Sequence, residues 1–276
     1  MRNEMSGIWF IANSGSGSFD AATCEALADR LGATRRITLP DDDLPDAAEA
    51  NGKGADRIAI FTGDGTIAAA VEALEGWKGE LLILPGGTMN LLSKKLHGEA
   101  DAPTIVERVT AGAMTLQDMP MLKGEGLRSL VGVIAGPTSA WGDVREAVRK
   151  FDLRVLADAV PEALRATFGD DLVSLKGDDR EFQAIFLDAT ETGVEALGVS
   201  ASNAGELAQH GLAWLQGNFL GGPSVPLGFA PEYTICGGSA QDGEIGLLVD
   251  GERASAHAPC TFALTRSPIR FIATRA

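Results

Sequence analysis

The sequence predicts an α/β plus β architecture: an N-terminal doubly wound, Rossmann-like domain followed by an antiparallel, β-sandwich-like domain. Three observations predict it. Residues 56–98 hold two consecutive strand–loop–helix units, in which RIAIF breaks at Thr62-Gly63-Asp64-Gly65-Thr66 and ELLIL breaks at Pro85-Gly86-Gly87-Thr88-Met89-Asn90. The chain before Met114 alternates β-rich runs with apolar residues at helical spacing, which is the grammar of a parallel sheet with crossover helices. Beyond Met114 the segments become short, often alternating, and separated by Gly, Asp or Pro. The 276 residues exceed what one core usually serves. Two domains are therefore expected, residues 1–120 and 121–261, with the 262–276 strand available to complete the first.

Taken in order, GIWFIA (residues 7–12) reads as a buried strand and Asn13-Ser14-Gly15-Ser16-Gly17 as the loop after it. Ala21, Cys24, Leu27, Ala28 and Leu31 share one helical face, giving a first crossover helix. Residues 34–39 form a second strand, followed by an acidic, proline-bearing loop that includes Asp41-Asp42-Asp43. The two glycine-loop units come next, and the helix after the second carries Lys94 and Lys95. Asp101-Ala102-Pro103 opens a further helix through Val109, proline being suited to a first turn. Strands are then expected over 115–122, 128–135, 152–158, 171–175, 182–190, 194–200, 231–236 and 244–250. Helices interrupt them around 141–150 and 203–215, and GNFLGGPSVPLG (217–228) reads as an exposed loop.

Bulk properties narrow the function. A formal charge of −15 argues against nucleic acid as a partner and against tight electrostatic attachment to an anionic membrane. Three scattered cysteines, without CxxC spacing, indicate a reducing compartment and neither a zinc site nor a disulfide framework. The first residues read as free of an export signal, so a cytoplasmic location is expected.

The two glycine loops carry the chemistry. Glycine lets the backbone approach a ligand closely, and the helix that follows offers unpaired N–H groups and a positive dipole end. That combination suits phosphate. Asp64 adds a carboxylate able to hold Mg²⁺, while Thr66, Thr88 and Asn90 add hydroxyl and amide groups at the helix starts. Two such loops in tandem are more than helix capping requires. His97, at the end of a predicted helix, reads as a terminal cap, and the scattered Trp residues as packing.

TGDGT, then a strand, then PGGTMN resembles the catalytic domain of the diacylglycerol kinase family, which includes sphingosine and ceramide kinases and many bacterial lipid kinases. Asn13-Ser14-Gly15-Ser16-Gly17 stands where that family has an Asn-Pro-x-Ser-Gly loop. Asp118 matches an acidic residue opening the second domain, and Asp250-Gly251-Glu252 matches its late Asp-Gly-Glu motif. The resemblance implies a kinase that uses ATP and Mg²⁺ to phosphorylate a lipid hydroxyl. It places Asn13, Ser16, Thr62, Gly63, Gly65, Thr66, Gly86, Gly87, Thr88, Asn90 and Glu252 at the nucleotide. It makes Asp250 the base, with Asp64 as the organiser of Mg²⁺ and phosphates, and puts Asp64, Asp118 and Glu252 at the metal. Transient membrane contact and a homodimer are compatible with it. The sequence departs from the family at Thr62 for Gly, Ser14 for Pro, Ala68-Ala69 for Asn-Glu, and Leu91 for Asp. An NAD kinase, which shares a related GGDGT loop, and a catalytically weak nucleotide- or lipid-binding relative are the alternatives.

Overall fold

A computed structural model describes residues 7–16, 19–87, 90–136, 172–199, 224–237 and 243–275. The chain divides into two compact units, Met1–Met119 with Arg266–Ala276, and Pro120–Thr265.

The first unit alternates strands and helices: β1 (Gly7–Asn13), α1 (Ala21–Leu31), β2 (Arg35–Leu39), α2 (Ala47–Gly52), β3 (Ala55–Thr62), α3 (Asp64–Ala73), β4 (Glu80–Pro85), α4 (Leu91–His97) and α5 (Ala102–Thr110). The strands run parallel in the order β2-β1-β3-β4. Alternation along each strand buries both faces. Phe10, Ala12, Phe61, Leu82 and Leu84 pack with α1 and α5, while Ile11, Ile58, Ile60 and Ile83 are fully buried on the opposite side. This is the doubly wound arrangement expected. The helix α2 was not foreseen, because only Ala50 in it is buried and no apolar periodicity marks it. Its start is set by Asp46, whose carboxylate accepts from the Glu49 N–H.

The second unit follows β5 (Thr115–Gly124), a strand that begins in the first. It holds β6 (Leu127–Ser129), β7 (Val133–Ala135), β8 (Val173–Leu175), β9 (Ala184–Ala189), β10 (Val194–Val199), β11 (Ser224–Ala230), β12 (Glu232–Gly237), β13 (Glu244–Val249) and β14 (Glu252–His257). A six-stranded antiparallel sheet runs in the order β11-β10-β9-β7-β13-β14. It shares one core with β5, β8, β12 and the start of β15 (Cys260–Ala273): Val133, Ile185, Leu187, Val194 and Leu247 meet Leu122, Val173, Ile235 and Phe262. The last residues of β15 pair parallel with β4, through Arg270 opposite Glu80 and Phe271 opposite Leu81.

Two expectations are corrected, and one strand was not foreseen. Residues 224–228 form part of the edge strand β11 and not a loop. Pro226 is tolerated there because an edge strand has one side without a ladder, and Gly228 (φ 105) lies where the pairing with β10 slips register. The polar strand β14 escaped notice because only one of its residues, Ala256, is buried. The segment 128–135 is two strands with a break at residues 130–132, for a reason given below. The helices expected around 141–150 and 203–215 and the strand at 152–158 lie outside the described residues.

Candidate functional site

The strand order 2-1-3-4 reverses direction between β1 and β3, and ligands of open parallel sheets bind beyond the carboxyl ends of the strands at such a switch. The loops after β1, β3 and β4 are the segments singled out in the sequence, and side chains tie them together. Asn13 Nδ2 donates to Thr66 Oγ1 at 3.0 Å, bridging the switch point itself. Asn13 Oδ1 also accepts from the Gly15 N–H at 2.9 Å, which closes the first loop on itself. Ser16 Oγ donates to the Gly86 carbonyl, joining the first loop to the third.

The glycines then divide by task. A Cβ on Gly86 would lie 2.6 Å from the Thr62 nitrogen and 2.7 Å from the Phe61 carbonyl carbon. One on Gly87 would lie 2.6 Å from the Gly63 Cα. Both glycines exist so that the third loop can rest on the backbone of the second. Gly63 is different: a Cβ there meets only the Gly87 Cα, at an ordinary 3.8 Å, and its φ of −80° suits any residue. Among the described residues nothing requires glycine at position 63.

Helix starts show a similar division. α1 and α5, like α2, carry an N-cap aspartate that accepts a backbone N–H of the first turn, Asp20 from Thr23 and Asp101 from Thr104. α3 is capped by Gly63, with no side-chain hydrogen bond at the cap. Its first turn holds Asp64, Gly65 and Thr66, so a carboxylate and a hydroxyl stand at an end that no cap side chain fills. Thr62 is fully buried and its hydroxyl donates to the Gly63 carbonyl, so it shapes the loop from beneath. Asn90 adopts the left-handed region (φ 53) that asparagine tolerates, and its amide serves Gly87 in both directions, accepting its N–H at 2.7 Å and donating to its carbonyl at 2.9 Å. The Asn90 amide thus holds the loop in shape. Thr88 lies outside the described residues.

His97 is not a surface cap. It is the last residue of α4, 2% exposed, with Nδ1 3.0 Å from Thr274 Oγ1. Burial pushes its pKa down to about 4. Asp118 stands exposed on β5, where its carbonyl accepts from Arg266. Within neither unit do three His, Cys, Asp or Glu side chains converge as a metal cage, among the described residues.

In the second unit the structure adds a constellation that the sequence did not mark. Asp250 has a φ of 49°, and its carboxylate accepts four groups from the break between β6 and β7. Ser129 Oγ donates to Oδ1, Leu130 N to Oδ2 at 3.0 Å, Val131 N to Oδ1 at 2.9 Å, and Gly132 N to Oδ1 at 3.2 Å. The Asp250 N–H returns to the Gly132 carbonyl at 3.1 Å. Between β6, which pairs with β5, and β7, which pairs with β9 and β13, the amides of residues 130–132 turn toward this one carboxylate. Glu252, partly exposed, opens β14 two residues on. A partner 121 residues away has no signature in a single sequence, which is why Ser129 was missed.

Residues 8–121 match the model of the diacylglycerol kinase catalytic domain. Among curated proteins none matches the chain. Two crystal structures from Bacillus anthracis str. Sterne are similar in fold. One, described as a "putative diacylglycerol kinase", has 16% identity and a TM-score of 0.64, covering 99% of this chain and 98% of its own. The other, described as a diacylglycerol kinase, has 15% identity and a TM-score of 0.60, covering 97% of each chain. The family resemblance carried by the two glycine loops is thereby shown, and residues 8–121 match the diacylglycerol kinase catalytic domain.

Proposed function

We propose that this chain is an ATP- and Mg²⁺-dependent lipid kinase, transferring the γ-phosphate to a lipid hydroxyl of diacylglycerol or sphingoid type. The observation that carries this reading is the hydrogen-bonded set of three loops at the β1/β3 switch, with Gly63 open where no described residue has need of a glycine. The donor set fits the group: a glycine-lined approach, an α3 start without a side-chain cap, and one hard carboxylate, Asp64. Mg²⁺ characteristically takes one or two carboxylates and completes its shell with phosphate oxygens and water, so a pre-formed cage is not required. When bound, MgATP supplies the phosphoryl group and neutralises its charge.

The chain's own residues do the rest. Gly63 would admit the phosphates to the backbone and Asp64 would hold the metal, while Thr66, fixed by Asn13, presents its hydroxyl at the start of α3. On the acceptor side the lipid oxygen forms a bond to the γ-phosphorus as the bond to the β-phosphate oxygen breaks, and the hydroxyl proton passes to a carboxylate. Ser129 and three amides hold Asp250 in its turn, three of the four donors on Oδ1 and Leu130 N alone on Oδ2. We assign the shaping of that turn to Asp250 and the proton to Glu252, two residues on. We place the acyl chains of the substrate on the β-rich unit. We place the enzyme in the cytoplasm with transient membrane contact; among the described residues no helix is long and apolar enough to cross a membrane.

A second reading, a catalytically weak binding relative, is favoured by the exposed Ala68 and Ala69 on α3, where family members carry Asn and Glu. Incubating the protein with γ-labelled MgATP and a panel of diacylglycerol, sphingoid base, ceramide and NAD separates the readings. A labelled lipid supports the kinase. Labelled NAD, or saturable binding without turnover, overturns it.

A further inference from the structure

β6 pairs with β5 in one sheet and β7 with β9 and β13 in another, so residues 130–132 carry the chain from sheet to sheet. Residues 130–132 leave the ladder between two strands, and three consecutive backbone N–H groups are spent on one side chain. Ser129 sits at the centre of the arrangement, 1% exposed. Its hydroxyl works in both directions, donating to Asp250 Oδ1 and accepting the Gly132 N–H at 2.8 Å. Gly132 cannot be replaced without disturbance: at φ 157 its missing Cβ would stand 2.6 Å from the Phe186 ring. A non-glycine residue at φ 49 is itself strained, and such strain persists only where the surroundings over-determine it. Here they do so through five hydrogen bonds between Asp250 and residues 129–132.

We infer that Ser129 is a positioning residue for phosphoryl transfer, acting through Asp250: with the amides of Leu130, Val131 and Gly132 it locks the left-handed turn from which Glu252 is presented. This rests on the kinase reading above. Removing the hydroxyl withdraws one donor from Asp250 and leaves the Gly132 N–H with the longer of its two partners. The turn loosens while the nucleotide loops, built from other residues, are untouched.

The test compares wild type, Ser129→Ala, Ser129→Thr, Asp250→Asn and the Ser129→Ala/Asp250→Asn double variant. Readouts are kcat and KM for the best lipid of the panel, MgATP affinity by calorimetry, and amide exchange at residues 130–132. In Ser129→Ala, kcat falls about tenfold, the order expected for one hydrogen bond to a charged group. MgATP affinity stays within about twofold, a change that non-additivity and context make indistinguishable from none. Ser129→Thr restores most of the turnover, and the double variant is no worse than Asp250→Asn alone, because the two residues act as one unit. Wild-type turnover in Ser129→Ala, or losses that multiply in the double variant, overturns the inference. If wild type labels no lipid at all, it is the kinase reading that falls, and amide exchange then decides the clamp. Faster exchange confined to 130–132 in Ser129→Ala supports it, and unchanged exchange overturns it.

Discussion

Gly87 and Gly63 face each other across the two glycine loops, yet only one is dictated by packing. Gly87→Ala drives a Cβ to 2.6 Å from a backbone carbon that cannot rotate away. The cost is about 1–3 kcal/mol, the range for overpacking a well-filled site, and urea unfolding measures it. Gly63→Ala meets only an ordinary contact, and stability by the same measurement changes by less than about 0.5 kcal/mol. His97 makes a prediction of a different kind. Its folded pKa of about 4 lies below the usual 6.5 because burial penalises the charged ring. Between those values the unfolded chain binds a proton that the folded chain refuses, so stability rises with pH there. The contribution is complete above pH 6.5 and lost as pH falls toward 4, amounting to up to about 3 kcal/mol. Urea midpoints at pH 7 and pH 4.5 fall further apart in wild type than in His97→Gln; equal separations would show that the ring carries no such linkage.

Elements whose residues alternate or recur on one face were legible in the sequence, and those held by other means were not. β1, β3 and β4 announce themselves as apolar runs, and α1 as a stripe of Cys24, Leu27, Ala28 and Leu31. α2 and β14 bury almost nothing, so periodicity is silent about them. β11 was obscured by Pro226 and Gly228, which mark an edge and a register slip as readily as a loop. β15 is the element on which the first unit's sheet closes, with Ile269, Phe271 and Ile272 all buried. Phe271 is 0% exposed, and Phe271→Ala lowers unfolding free energy by about 3–5 kcal/mol, measured again in urea. A loss under about 1 kcal/mol would mean the strand closes nothing.

Across the whole molecule, the fold class and the two glycine loops could be read from residue order because both rest on local patterns: glycine after strand, helix after glycine. The division of labour among the residues could not. Asn90, expected at the nucleotide, also holds Gly87, and Asp250, expected at proton transfer, is also held by a segment 118 to 121 residues distant. Such pairings depend on tertiary contact alone. The cysteines illustrate the same limit from the other side. All three are free; Cys24 and Cys260 are buried, and burial raises both thiol pKa values, that of Cys260 to about 11. A thiol reagent at pH 8 should modify Cys236 alone in the native protein and all three in urea; rapid native modification of Cys24 or Cys260 would contradict their burial.

The claim beneath the functional reading is that phosphate lies against the backbone at Gly63. Calorimetric titration of MgATP into wild type and Gly63→Ala, two proteins expected to be equally stable, tests it most directly. A methyl group placed where phosphate should approach weakens MgATP binding at least about tenfold, the loss of roughly 1.4 kcal/mol. Equal affinities in the two proteins would put the nucleotide elsewhere.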